Sequence, residues 1–145
     1  MPGYATAEGT ERYYRRSQYD EYNEYNVSSD HFKTPLKSDI KVTSLGYGTY
    51  TGEADDITDF HMYDAIKQSV LTGGMNNIDT APNYRYMKSE RTVGKILTTL
   101  HSKYGVKRDE LIVASKAGYV PEDGFNMISQ REMMEKIVKS GVPED

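Results

Sequence analysis

"IDTAPNYRYMKSE", residues 78–90, leaves a short apolar run and leads into "RTVGKILTTLHSKYG", residues 91–105. Taken locally it is a strand running into a loop, with Pro82 and Asn83 as turn formers and Ser89 capping the next helix. In that helix Val93, Ile96, Leu97, Leu100 and Tyr104 recur at steps of three and four, and Gly105 supplies the stop. The order strand, loop, amphipathic helix is what decides the fold, because both neighbouring stretches repeat it.

Upstream, "FKTPLKSDIKVTSLGYGTY" (32–50) reads as a short hairpin or extended piece followed by a strand ending near Gly48. "DDITDFHMYDAIKQSVLTGG" (55–74) then places Ile57, Phe60, Tyr63, Ile66 and Val70 on one helical face, between an Asp55 or Asp56 N-cap and a Gly73-Gly74 stop. Downstream, "LIVASK" (111–116) is a continuous apolar run of the kind expected for a parallel strand covered on both faces. Ser129 and Glu132 form a capping-box pattern that opens a last helix, stopping near Gly141 and Pro143. Strands ending near residues 49, 79 and 115 give a repeat of about 30 to 36 residues, the length of a βα unit. Strict alternation predicts an α/β fold with a parallel sheet, either doubly wound or part of a (β/α)8 barrel.

The totals narrow the function classes. The 145 residues suit one domain, and a net charge of −4 provides no overall basic field for nucleic acid or an anionic membrane. There is no cysteine, and His31, His61 and His101 lack metal-ligand spacing, so no metal site is expected. No run approaches the roughly 20 apolar residues that span a bilayer, and the acid-bearing first residues have no secretory pattern. The expectation is a cytoplasmic protein, in which the Asn26-Val27-Ser28 sequon is a chance match. A cluster of Arg85, Lys88, Arg91 and Lys95 is interrupted by Glu90 and reads as a solvated helix face. Met127, Met133 and Met134 read as core filler.

Residues 1–31 stand apart as a tyrosine-rich, acidic arm, with Tyr4, Tyr13, Tyr14, Tyr19, Tyr22 and Tyr25 and, beyond alanine and the first methionine, only Val27 as an aliphatic residue. Such a segment buries little surface of its own, so it is expected to be disordered or draped, or to dock into a partner's groove through its tyrosines. Residues 32–145 hold the βα units.

A doubly wound dinucleotide site is disfavoured. Gly46, Gly48 and Gly52 miss the G-x-G-x-x-G spacing, and Glu53, Asp55 and Asp56 stand where a phosphate would sit. In a barrel, side chains converge at the C-terminal strand ends. There the chain offers Thr49 and Tyr50, then Asp79 with Tyr84 in its loop, then Lys116. A phenol beside an ammonium is a proton donor for a developing alkoxide, and a carboxylate keeps that ammonium charged. Carbonyl reduction also needs a hydride that no side chain delivers, so a nicotinamide cofactor is implied.

At these residues the chain resembles the aldo/keto reductase family. The likeness rests on "LGYGTY", on Asp79-Thr80-Ala81 with Tyr84, on Ser89-Glu90 with Gly94, and on "VASKAGY" with Lys116, covering roughly residues 32–120. "GEADDITD", "NYRYMKSER" and "GYVPED" look like a branch related to sugar or galactose dehydrogenases. The resemblance implies a partial (β/α)8 barrel of about three units, using NADPH or NADH on a small carbonyl or sugar. It implies Tyr84 as proton donor, Lys116 and Asp79 as the groups that tune it, and Gly48, Thr49, Tyr50 and Asp79 beside the nicotinamide. Arg85 departs from the glycine many members carry there and is assigned, with Tyr119, to the substrate pocket; Tyr47 and Tyr86 either line that cleft or pack the barrel top. A full barrel takes about 250 residues, so the family's catalytic histidine and phosphate-gripping loops are expected beyond Asp145. The 145 residues alone are then not an independent reductase. The open sheet needs cover, from further chain or from another protein that uses the partial barrel as a non-catalytic piece.

Overall fold

The computed structural model describes residues 3–19, 25, 27–35, 37–124 and 128–141. Tyr22, Asn26, Met127 and Pro143 lie outside the described residues. The chain is mixed α/β. Strands β1 (Phe32–Lys33) and β2 (Val42–Thr43) form an antiparallel hairpin. Strands β3 (Tyr47–Gly48), β4 (Asn77–Asp79) and β5 (Ile112–Ala114) form a parallel sheet in the order β3-β4-β5. Helices α2 (Asp56–Leu71) and α3 (Lys88–Tyr104) are the crossovers between them.

Both crossover helices lie on one face of this sheet. Ile78 is paired with Tyr47 and Val113, and those three point toward the helices. Ile78 is fully buried there with Met62, Ile66 and Val70 of α2 and Val93, Ile96, Leu97 and Leu100 of α3. Because successive strand residues alternate faces, Asn77, Asp79, Ile112 and Ala114 turn the other way. Ile112 is only half-buried and Ala114 is exposed, so the expected cover on both faces of "LIVASK" is absent on this side among the described residues.

Two helix details differ from expectation. Ile57 and Phe60 are 69% and 65% exposed, and the buried stripe of α2 begins instead at Met62. The start of α2 docks through polar atoms: Asp59 and the carbonyls of Glu53 and Asp55 receive the guanidinium of Arg85. Ser89 does not cap α3. The helix starts two residues earlier than a Ser89 cap would give, at Lys88 after a left-handed Met87, and the Ser89 hydroxyl donates to the Thr49 carbonyl. The N-cap of α2 is Asp55, whose carboxylate accepts the Thr58 N–H at 2.7 Å. The capping box of Ser129 and Glu132 opens helix α4 (Gln130–Lys139) as expected. Met133 is half-buried and Met134 exposed in α4, so these methionines are not core filler.

Part of the N-terminal segment departs from the expectation of a disordered arm. Ala7–Tyr19 is a helix, α1, packed on the short 3-10 turn Arg108–Glu110 that precedes β5. Tyr13 is 1% exposed, its hydroxyl lying 2.8 and 2.9 Å from the carbonyls of Val70 and Met75. Burial pushes its phenol above the ordinary tyrosine range. Tyr14 meets Phe32 edge-on at 5.0 Å, and Tyr13 and Phe32 belong to the same apolar cluster as Ile78. Two of the tyrosines thus serve the chain's own core. A tyrosine compensates for missing aliphatic residues when its hydroxyl finds an acceptor, as here.

Charge and a missing side chain fix where α1 sits. Buried Glu110 accepts from Arg12 Nε at 2.8 Å and Arg16 Nη2 at 2.7 Å. The helix backbone approaches the turn so closely at Gly9 that a Cβ there would lie 2.2 Å from the Asp109 carbonyl oxygen. Gly9→Ala raises helix propensity by up to about 1 kcal/mol, yet must push α1 off its seat, for which overpacking costs of about 1–3 kcal/mol are typical. The expected outcome is a lower urea midpoint; an unchanged or higher one shows that α1 does not dock through Gly9.

Candidate functional site

The site lies on the uncovered face at the C-terminal ends of β3, β4 and β5. Asp79 is the last residue of β4, paired with Gly48 and Ala114. Lys116 is two residues beyond Ala114, so the same alternation brings it to the face that Asp79 occupies. The Lys116 ammonium donates to both Asp79 carboxylate oxygens, at 2.6 Å to Oδ2 and closer to Oδ1, and to the Thr80 carbonyl at 3.1 Å. It also stands 4.8 Å from the centroid of the Tyr84 ring. Asp79 first, and then the Tyr84 phenol, hold the Lys116 amine above the ordinary lysine range. The two side chains of the ion pair remain 48% and 44% exposed, so the pair contributes little to stability and its value lies in geometry.

Tyr84, Lys116, Pro82, Asn83, Ala117 and Tyr119 line a cleft of about 270 Å³. Tyr119 is 81% exposed at its edge, and Tyr50 meets the Tyr84 ring edge-to-face at 5.0 Å. Gly48 lies on the open face, where an added methyl would meet nothing within 4 Å. Asp79, Tyr84, Lys116, Tyr50, Gly48 and Tyr119 are therefore gathered as the sequence suggested. Tyr47 points away from the cleft and packs against the core, and Tyr86 is exposed beside Asp123 and Gly124 in a separate hollow.

Thr49 and Arg85 are not in the cleft. Thr49 turns to the helix side and is fully buried, its N–H and hydroxyl both donating at 3.0 Å to the Asp79 carbonyl oxygen. It holds the backbone of Asp79 rather than lining a nicotinamide site. The Arg85 side chain is 2% exposed and spent on the start of α2, so it has no free donor face for a substrate. Its ion pair with Asp59, and the bidentate pair of Arg91 with Asp123, carry no local sequence signal, since each joins residues distant in the chain. Lys88 is held likewise by Asp56 and Asp59.

The loop that carries Tyr84 has an unusual backbone. Arg85, Tyr86 and Met87 all have positive φ, of 52°, 54° and 68°. Such conformations cost about 1–2 kcal/mol per non-glycine residue and persist only where surroundings hold them. Here the Tyr86 carbonyl accepts the Gly124 N–H at 3.1 Å, an approach so close that a Cβ on Gly124 would lie 2.7 Å from that of Tyr86.

An aspartate, a lysine and a tyrosine converge at parallel strand ends, and residues 44–142 match the model of the aldo/keto reductase family. The chain belongs to the aldo/keto reductases. It is 30% identical over 122 residues to the NADH-specific methylglyoxal reductase of Escherichia coli (strain K12), an alignment covering 78% of this chain and 35% of that protein. The chain therefore spans about a third of the length of that curated relative.

The raised Lys116 value has a defined pH consequence. A folded value above the unfolded value of about 10.4 favours the native state below that pH, and the contribution is lost as pH rises through the folded value. Asp79→Asn removes the largest cause. The Lys116 amine is then expected to titrate at lower pH than in the wild type, as followed through its ε-carbon resonance; an unmoved titration shows that Asp79 does not set its charge.

Proposed function

We propose that this chain is the N-terminal portion of an NAD(P)H-dependent aldo/keto reductase, with Tyr84 as proton donor to a small carbonyl. The single observation that carries the reading is the placement of the Lys116 ammonium between the Asp79 carboxylate and the Tyr84 ring, beside an open cleft. In this reading β3, β4 and β5 begin a (β/α)8 barrel, whose later units cover the open face and supply the histidine and the phosphate-binding loops. Active sites of such barrels gather at the C-terminal strand ends, which is where these residues lie.

The donor set fits the nicotinamide end of the cofactor. A half-exposed carboxylate at Asp79, open space over Gly48 and the ring of Tyr50 against Tyr84 suit ribose hydroxyls and the nicotinamide. The turn beyond Tyr50 carries Glu53, Asp55 and Asp56 and does not suit the phosphates. When bound, the cofactor supplies the hydride. Tyr84 gives its phenolic proton to the oxygen that becomes the alcohol, and Lys116 steadies the phenolate left behind. Asp79 keeps Lys116 charged while it does so. Whether the cofactor is NADH or NADPH turns on contacts outside these residues. The relative's name points to an α-oxoaldehyde as the first substrate to try, ahead of sugars. A cytoplasmic setting suits a cysteine-free chain supplied with nicotinamide cofactors.

A second reading is a non-catalytic subunit that uses the reductase fold to hold a partner protein. The exposed Ile57 and Phe60, together with the open sheet face, favour it, because apolar surface of this kind calls for cover. Nicotinamide absorbance with methylglyoxal, measured on the protein as its gene encodes it, separates the two. Tyr84→Phe is expected to lower turnover by about 10²–10⁴ with unchanged circular dichroism. Turnover that survives Tyr84→Phe removes the proton-donor role; no turnover in the wild type, with an intact mass near 16.5 kDa, supports the subunit.

A further inference from the structure

The geometry points to Arg85 as a positioning residue that seats Tyr84 against Lys116 without touching substrate. The inference rests on the reading of Tyr84 as proton donor and adds what holds it in place. Arg85 follows Tyr84 directly, and its guanidinium reaches two carbonyls of the segment between β3 and α2 and one carboxylate in the first turn of α2. Nε donates to the Glu53 carbonyl at 2.7 Å, and Nη2 donates to the Asp55 carbonyl at 3.2 Å and to Asp59 Oδ1 at 2.6 Å. Nη1 lies 3.7 Å from the Met62 sulfur, on the buried stripe of α2.

That same segment carries Tyr50. The clamp therefore joins the two loops whose tyrosine rings meet edge-to-face at 5.0 Å, and it fixes the distance from Tyr84 to Lys116 from one side. Lys116 is fixed from the other side by Asp79 and the Thr80 carbonyl. A planar guanidinium suits the task because it addresses several acceptors in fixed directions, whereas an ammonium is a point charge. The charged groups around it are Asp59, which Arg85 shares with Lys88, and Asp55 and Asp56 at the start of α2.

The backbone points the same way. Arg85 sits at φ 52° and is followed by two more positive-φ residues. Glycine adopts that conformation freely, so Arg85→Gly relieves the local strain while removing the clamp. If the backbone alone shaped the loop, that variant would leave Tyr84 where it is.

The test reads Tyr84's position directly. The Lys116 ε-methylene protons over the Tyr84 ring should be displaced upfield in the NMR spectrum of the full-length protein, and their displacement lost in Tyr84→Leu defines the signal. Arg85→Gly is expected to lose more than half of that signal, and Arg85→Lys, which keeps the charge toward Asp59 but not the bridge to both carbonyls, to fall between. Full retention in Arg85→Gly overturns the inference. Should Arg85→Gly not fold, Asp59→Asn weakens one arm of the clamp at constant volume; a partial loss supports the inference and full retention overturns it. In the active enzyme Arg85→Gly is expected to lower kcat at least tenfold with KM nearly unchanged, and to add nothing in a Tyr84→Phe background; a change in KM alone assigns Arg85 to substrate instead and overturns it. The resonance measurement does not depend on turnover, so a failed clamp and a failed proton-donor role give different results.

Discussion

Ile78 has the central place in this fold. It is the middle residue of the middle strand of the parallel sheet and has no exposed surface. Its side chain must go to the helix layer, where α2 and α3 converge on it. Strand geometry then leaves Asp79 no choice but the opposite face. The parallel register carries the consequence across to β5: Val113 follows Ile78 inward, Ala114 follows Asp79 outward, and Lys116 arrives beside Asp79. A slip of one residue in β5 would turn Lys116 toward the core, and a slip in β4 would turn the Asp79 carboxylate there. The ion pair at the strand ends is held in place by apolar burial on the far side of the sheet.

Polar contacts then tie the loops to that frame. Thr49 and Ser89 are both buried, and their hydroxyls run from β3 to β4 and from α3 back to β3. Arg85 joins the loop after β4 to the loop after β3. Each of these side chains donates to backbone carbonyls near the site, Arg85 also to Asp59, so the strand ends are cross-braced. At the other end of the sheet, Arg12 and Arg16 on Glu110 dock α1 beside the turn that starts β5. The two ends of the sheet are thus built differently, one around an open charge cluster and the other around a covered one.

Much of this was legible in the chain itself. The βα order, the hairpin before it, the Asp55 and Ser129 caps and the glycine stops all follow from local spacing and capping chemistry, which act within a few residues. Asp79, Tyr84 and Lys116 were legible for a related reason, since each sits at a fixed offset from the end of an apolar run. The face of α2 was harder to read. Ile57 and Phe60 fit the helical period as well as Met62 does, and which of them is buried depends on how the helix sits on the sheet. Composition gives the tyrosine-rich segment no core role, because its partners lie elsewhere in the chain: Tyr13 becomes a core residue only when the Val70 and Met75 carbonyls are there to meet its hydroxyl.

What the sequence determined alone is the set of elements, their order, and the motif residues at the strand ends, because period, capping and turn preference are properties of neighbouring residues. Tertiary structure decided the direction of each functional side chain. Thr49 belongs to the strand end and yet faces away from the cleft; Arg85 adjoins Tyr84 and yet is consumed by Asp59 and two carbonyls; α1 has no aliphatic residue beyond alanine and yet joins the core. In each case the deciding partner is more than twenty residues away, and the burial of a charge or hydroxyl is settled by whichever distant acceptor can satisfy it.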